Sequence, residues 1–156
     1  MTELTEFNDG VIINGEFGTP EVYDLIQKYA VDPLPLVILD PPYGRIVSDY
    51  WDQVYETDEE FAGWMLRWTV CLETLCHPGA ALYTWGGIGV PGFRPWYRYV
   101  VEVERQTKWQ LANHISWSKK RAYGTRHNYL FTREELAYFC LGDIKKPRLF
   151  NIPLLD

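Results

Sequence analysis

Continuous apolar runs and apolar residues at helical spacing divide the 156-residue chain into predicted strands and helices. LPLVIL at 34–39 is apolar without alternation, a pattern typical of a strand that is covered on both faces in a parallel sheet. Apolar positions recur at helical spacing over 20–29 and again over 61–75, where Thr57 and Glu60 precede them as a capping box. We therefore predict a buried strand between two helices.

The same criteria predict a third helix and four more strands. The helix is FRPWYRYVVEVERQTK, and the strands are VIING, AALYTW, WQLANHISW and ELAYFCLG. Because strands alternate with helices, we expect an α/β fold with an open, mostly parallel, twisted sheet and flanking helices. The length suits one domain that spans residues 1–156.

Composition narrows the classes of function. The formal net charge of −6 opposes non-specific attraction to a polyanion, so contact with nucleic acid would need a local basic patch. The three cysteines form no C-x-x-C pair, which disfavours a disulfide framework or a metal site and favours reduced core thiols. There is no apolar stretch of membrane-spanning length and no signal-peptide pattern, so we expect a cytoplasmic protein without membrane contact.

Asp40, Pro41, Pro42 and Tyr43 follow directly after the apolar run. Ligands of open α/β sheets bind beyond the carboxyl ends of the strands. A carboxylate and a proline carbonyl are both acceptors, so together they could hold an exocyclic amine, while a tyrosine ring could stack on a planar base. A plain Pro-Pro turn after a strand is the structural alternative.

DPPY at 40–43 resembles the catalytic motif of amino-methylating DNA methyltransferases, which transfer a methyl group from S-adenosylmethionine to adenine N6 or cytosine N4. LCHPGAALYTWGG, LANHISWSK and RHNYLFTREELAYFC are also similar to segments of that family. The resemblance implies a Rossmann-like S-adenosylmethionine-dependent methyltransferase fold. It also implies that Asp40 and the Pro41 carbonyl bind the target amine and that Tyr43 stacks on a flipped base. Asp at the first motif position favours adenine N6.

NGE at 14–16 resembles the family's short element before the catalytic motif, which helps to hold the adenosine end of the cofactor. The resemblance therefore implies that Asn14 and Glu16, with Asp40 and Pro41, bind S-adenosylmethionine. GIGVPG at 87–92 matches a dinucleotide fingerprint literally, but no acid closes the following strand. We interpret it as a glycine loop that could border the cleft.

A basic segment at 118–133 carries five positive residues and no acid. It could contact DNA phosphates and an exposed base, or it could be a solvated loop. The residues that we predict to bind DNA are Lys119, Lys120, Arg121, Tyr123, Arg126 and His127.

The family pattern continues into a strand with a Phe-x-Gly-x-Gly turn that this sequence does not contain, so we expect a truncated fold. That strand would lie beside 34–39. We expect a homo-oligomer, a second subunit, or a helix or loop of this chain to cover the resulting edge. Two functions stay open: a methyltransferase, alone or as part of an assembly, and a degenerate module that binds DNA or protein without catalysis.

Overall fold

The computed structural model describes residues 2–30, 32–123 and 131–147, and for 121–123 and 131–132 it describes the backbone alone. The helices are α1 (Pro20–Tyr29), α2 (Asp58–Leu75) and α3 (Pro95–Gln106). The strands are β1 (Glu3–Phe7), β2 (Gly10–Asn14), β3 (Leu34–Leu39), β4 (Cys76–Gly86), β5 (Trp109–Tyr123) and β6 (Phe131–Leu141). Every predicted helix and strand is confirmed, and β1 is an additional strand.

The main sheet has four strands in the order β3-β4-β6-β5. β3 and β4 are parallel, whereas β6 is antiparallel to both β4 and β5. Three of the four strands run in one direction, but two of the three neighbouring pairs are antiparallel, so the expectation of a mostly parallel sheet is only partly correct. α2 connects β3 to β4 and α3 connects β4 to β5, and these three strands run in the same direction. β6 runs in the opposite direction and lies between β4 and β5. β1 and β2 form a separate antiparallel pair.

The three helices contribute to one hydrophobic core against one face of this sheet. Trp109 of β5 is buried and donates its indole N–H to the carbonyl of Thr69 in α2, at 3.2 Å. The Thr69 hydroxyl also bonds to the hydroxyl of Tyr99 in α3, at 2.8 Å. Ile26 of α1 packs against the same cluster. These contacts fix the helices on the sheet.

One face of β3 is less covered than its sequence predicts. Leu36 and Ile38 are 49% and 62% exposed, respectively. The expectation of a strand covered on both faces is therefore wrong among the described residues. No described strand pairs with the outer edge of β3, since its only described neighbour is β4.

The helix starts follow their sequence signals. The Thr57 hydroxyl accepts from the Glu60 amide at 3.1 Å, and the Glu60 carboxylate accepts from the Thr57 amide at 3.3 Å, which confirms the capping box. Cys76 and Cys140 are buried and Cys71 is half-buried, all three as free thiols. No helix within the described ranges is long and apolar enough to cross a membrane.

Candidate functional site

The segment Asp40–Tyr43 leaves the carboxyl end of β3, beside the carboxyl end of the parallel strand β4. Asp40 is exposed, whereas Pro41 is buried. Gly87, just after β4, lies against the Tyr43 ring, and a Cβ there would come within 3.4 Å of it. The two strand ends therefore meet at this edge, where ligands of α/β sheets bind.

Tyr43 is held in its neutral form. Burial raises the pKa of Tyr43 to about 12, and the Glu134 and Asp40 carboxylates, the latter through a hydrogen bond, add to the rise. Because the phenol keeps its proton, its hydroxyl can donate to the acceptor-only Asp40 carboxylate. Glu134 belongs to β6, which is separated from β3 by β4 alone in the described sheet.

A cavity of about 410 Å³ opens beside this segment. Its described lining contains acidic, aromatic and aliphatic side chains and no Lys, Arg or His: Asp40, Pro41, Pro42, Tyr43, Ile46, Val47, Trp51 and Asp52. The lining thus offers acceptors for an amine and apolar surface for a ring. It offers no cationic partner for a phosphate.

The loop that follows Tyr43 is organised by one buried carboxylate, from Asp52 at the end of a 3-10 helix spanning Tyr50–Asp52. This carboxylate accepts from the amides of Gly44 at 2.8 Å, Ile46 at 2.6 Å and Val47 at 2.8 Å. Hydrogen bonds to a charged acceptor are the strong ones, so Asp52 fixes the cavity wall.

Arg45 secures the other side of the loop. Its backbone has a φ of 60°, in the left-handed region, which costs about 1 kcal/mol or more for a residue with a side chain. Its guanidinium offsets this cost by donating to the carbonyls of Tyr55 at 3.1 Å and Glu56 at 2.9 Å, and it lies 4.4 Å from the Phe93 ring centroid. Sequence analysis did not identify Asp52 or Arg45, because both act through backbone groups that only the folded loop brings together.

A second cavity, of about 450 Å³, lies between α2 and the start of α1. Glu16 lines it together with aromatic rings and Arg67. Phe17 and Trp68 meet edge to face there at 5.7 Å. Glu16 is therefore placed in a different cavity from Asp40 and Pro41.

Asn14 lines neither cavity. It lies in β2 opposite Glu3 and is exposed. Tyr55 connects the two regions, because its carbonyl binds Arg45 and its hydroxyl is close enough to Glu16 to be affected by that charge. The four residues predicted to hold a cofactor thus lie in three places, and their role stays a prediction.

Gly89, in the loop at 87–92, has a packing role. Gly89 has a φ of 70°, and a Cβ on it would come within 2.3 Å of the Phe93 carbonyl. Val90 and Phe93 exchange two backbone hydrogen bonds, of 3.0 and 2.9 Å, across this tight turn. These contacts account for the loop without a phosphate ligand.

The basic segment is strand rather than loop over much of its length, because β5 extends to Tyr123 and β6 begins at Phe131. Lys119 forms an ion pair with Glu134, and Lys120 is exposed. For Arg121 and Tyr123 only the backbone is described. Arg126 and His127 lie outside the described residues, as does the whole range 124–130.

The described part of this segment lies at the same end of the sheet as Asp40. β3 and β5 run in the same direction, so the end of β5 and the end of β3 reach the same edge. Glu134, the partner of Lys119, also acts on the pKa of Tyr43. Lys119 and Lys120 therefore lie at the same edge of the sheet as Asp40, and their contact with DNA stays a prediction. Among the described residues, no cluster of three His, Cys, Asp or Glu side chains could hold a metal ion.

No family model matches the chain. Among solved structures, it is similar to PvuII DNA methyltransferase (cytosine-N4-specific), with a TM-score of 0.58, 14% identity, and coverage of 76% of this chain and 46% of that one. It is also similar to M1.HpyAVI in complex with SAM, with a TM-score of 0.58, 15% identity, and coverage of 88% and 57%.

A further structure of M1.HpyAVI gives a TM-score of 0.57 at 15% identity, with coverage of 88% of this chain and 58% of that one. The chain thus spans about half the length of the solved structures that it matches. At this low identity the likeness concerns the fold, which is the mixed α/β fold described above. The chain shares that fold with PvuII DNA methyltransferase and M1.HpyAVI.

Proposed function

We propose that the chain is an S-adenosylmethionine-dependent DNA methyltransferase that acts on the exocyclic amine of a flipped base. The observation that carries the proposal is the placing of Asp40, Pro41 and Tyr43 at the end of β3, around a cavity whose described lining has no cationic side chain. The fold shared with PvuII DNA methyltransferase supports it. Asp at the first position of the motif favours adenine N6 over cytosine N4.

In this proposal the target amine donates its two N–H bonds to the Asp40 carboxylate and the Pro41 carbonyl. Holding both hydrogens in place would free the nitrogen lone pair from conjugation with the ring, so that the amine could attack a methyl group. Pro41 and Pro42 restrict the backbone, which lowers the entropy cost of this geometry. Tyr43 would stack on the base through its neutral ring.

The residues present fit the cofactor in type. S-adenosylmethionine supplies an activated methyl group on a positively charged sulfur when it is bound. The acidic first cavity suits that charge, and the aromatic second cavity with Glu16 suits an adenosine group. We propose Asn14, Glu16, Asp40 and Pro41 as contacts at separate parts of the cofactor, since they do not line one cavity.

A titration calorimetry experiment with S-adenosylmethionine, followed by a methyl-transfer assay on DNA, tests the proposal. We expect Asp40→Ala to lower transfer at least about a hundredfold, the scale of a missing catalytic group. Asp49→Ala is the matched control, because Asp49 is an exposed acid of the same loop outside the described cavity lining. Equal losses in both variants would contradict the role of Asp40. Absence of cofactor binding by the isolated chain would contradict autonomous catalysis.

A second candidate function is a methyltransferase-like module without catalysis of its own, and the exposed β3 edge favours it. The outer edge of β3 has no described partner strand, and Leu36 and Ile38 leave apolar surface exposed on one face of this strand. We propose that a second copy or a second subunit pairs there and completes the cofactor cleft. Transfer activity that depends on the partner would distinguish a split enzyme from an inactive module.

A further inference from the structure

We propose that Trp51 forms an aromatic wall of the base pocket and that Asp52 positions the backbone that carries it, so that the site favours an unstacked base with an exocyclic amine over a phosphate group. This inference rests on the proposed function and deepens it. It adds Trp51 and Asp52, from the loop after Asp40–Tyr43, to the residues of the proposed site.

Trp51 faces the first cavity and remains open to solvent. It belongs to the cavity lining together with Tyr43, yet 55% of its surface is exposed. Its neighbour Tyr50 is 85% exposed and does not belong to that described lining. An exposed indole at a cavity rim provides a flat surface on which a base can stack.

Asp52 fixes the backbone of the loop that carries this indole. Its carboxylate accepts three amide hydrogen bonds of 2.6 to 2.8 Å, and it follows Trp51 directly in the short 3-10 helix. The helix is closed by bonds from the Asp52 amide to the Asp49 carbonyl at 3.0 Å and from the Gln53 amide to the Tyr50 carbonyl at 3.1 Å. A wall ordered in advance lowers the entropy cost of binding.

The charges of the lining decide the ligand class. Asp40 accepts hydrogen bonds from an amine, and the described lining has no cation to hold a phosphate. Ile46 and Val47, which are 52% and 40% exposed, offer apolar surface for the edge of a ring. A base with an exocyclic amine, such as adenine, meets all three features, whereas thymine has no amine for Asp40.

Fluorine NMR of the chain labelled with 5-fluorotryptophan tests the inference without methyl transfer. Trp51→Phe assigns the Trp51 resonance. We expect adenosine to shift this resonance saturably, and thymidine or inorganic phosphate to leave it in place at equal concentration. A resonance that does not respond to adenosine, or that responds equally to thymidine, would overturn the inference.

The affinity for adenosine then distinguishes the contribution of Trp51 from that of its neighbour Tyr50. Loss of one stacking contact predicts that Trp51→Ala weakens binding roughly tenfold, while Trp51→Phe keeps most of it. Tyr50→Ala is the matched control and should bind like the wild type. Equal adenosine affinity in Trp51→Ala and the wild type would remove Trp51 from the pocket.

A double-mutant cycle tests the positioning role of Asp52. Asp52→Asn should weaken adenosine binding in the wild-type background and add little in the Trp51→Ala background, because its effect passes through Trp51. Fully additive losses would contradict positioning. If adenosine binds as expected but no variant transfers a methyl group, the proposed function fails alone. If transfer survives while Trp51→Ala binds normally, this inference fails alone.

Discussion

At the scale of single residues, the site depends on acceptors and a neutral phenol held at one strand end. Asp40, Pro41 and Tyr43 could be predicted from the sequence, because they are contiguous and their chemistry follows from their types. Asp52 could not be predicted, since its three amide partners are spread over Gly44 to Val47 and converge only in the folded loop. The residues of a site can therefore be predicted from the sequence where they are contiguous in the chain.

The raised pKa of Tyr43 predicts its titration. The pKa lies at about 12 in the folded protein and at 10.0 in an unperturbed tyrosine. The unfolded chain therefore releases this proton first as the pH rises, and the contribution of Tyr43 to stability is complete below pH 10 and lost between pH 10 and 12.

The ultraviolet absorbance of the ionised phenol measures this in the wild type and in Tyr43→Phe. The difference between the two titrations should have its midpoint close to pH 12, provided that the protein is still folded there. A midpoint near 10 would show that the Tyr43 hydroxyl is neither buried nor bonded to Asp40.

At the scale of elements, α/β alternation predicted the helices and strands but not the place of β6. The hydrophobic patterns of β3 to β6 identify strands, yet strand order depends on which edges meet after folding. β6 pairs with β4 through Ala81 to Gly86 and with β5 along its whole length, so the antiparallel hairpin decided the arrangement. The covered-strand pattern of β3 likewise predicted a neighbour that the described residues do not provide.

We expect the buried Asp52 carboxylate to stabilise the loop after Tyr43. Asp52→Asn keeps the shape of the side chain but loses its charge and can leave a donor facing amides, so we expect the free energy of unfolding to fall by about 2 kcal/mol. Urea denaturation followed by circular dichroism measures this. Asp49→Asn is the control, because the Asp49 side chain makes no capping hydrogen bond to the 3-10 helix. Equal stability of the two variants would mean that the amide contacts of Asp52 do not stabilise the fold.

At the scale of the whole molecule, the net charge of −6 repels DNA, whereas the basic segment at 118–133 could attract it. Long-range attraction is weak, so a contact must come from residues near the site. Lys120 is exposed at the site end of β5, whereas Lys108 is exposed next to the opposite end. This pair allows a matched comparison.

We expect Lys120→Ala to weaken DNA binding and to lower the slope of log affinity against log salt by about one, as the loss of one phosphate contact predicts. Lys108→Ala should leave the slope unchanged. Fluorescence anisotropy with labelled duplex at several salt concentrations measures both. An unchanged slope in Lys120→Ala would show that Lys120 contacts no phosphate and that this strand end is only solvated.

The exposed β3 edge predicts association. Ile38→Lys should disrupt association with another chain, because it places a charge on the exposed apolar face of the edge strand, while Val101→Lys should not. Val101 is the control, since it is 52% exposed on α3, away from this edge. Analytical ultracentrifugation should show a lower mean mass for Ile38→Lys than for the wild type. Identical masses for both variants and the wild type would contradict self-association through β3.

The most direct test of the central claim is mass spectrometry of nucleosides from DNA incubated with the chain and methyl-labelled S-adenosylmethionine, with any purified partner present. We predict labelled N6-methyladenine with the wild type, and with Asp40→Ala a yield at least about a hundredfold lower. No labelled nucleoside from an assembly that binds the cofactor and DNA would contradict methyl transfer at the Asp40–Tyr43 site.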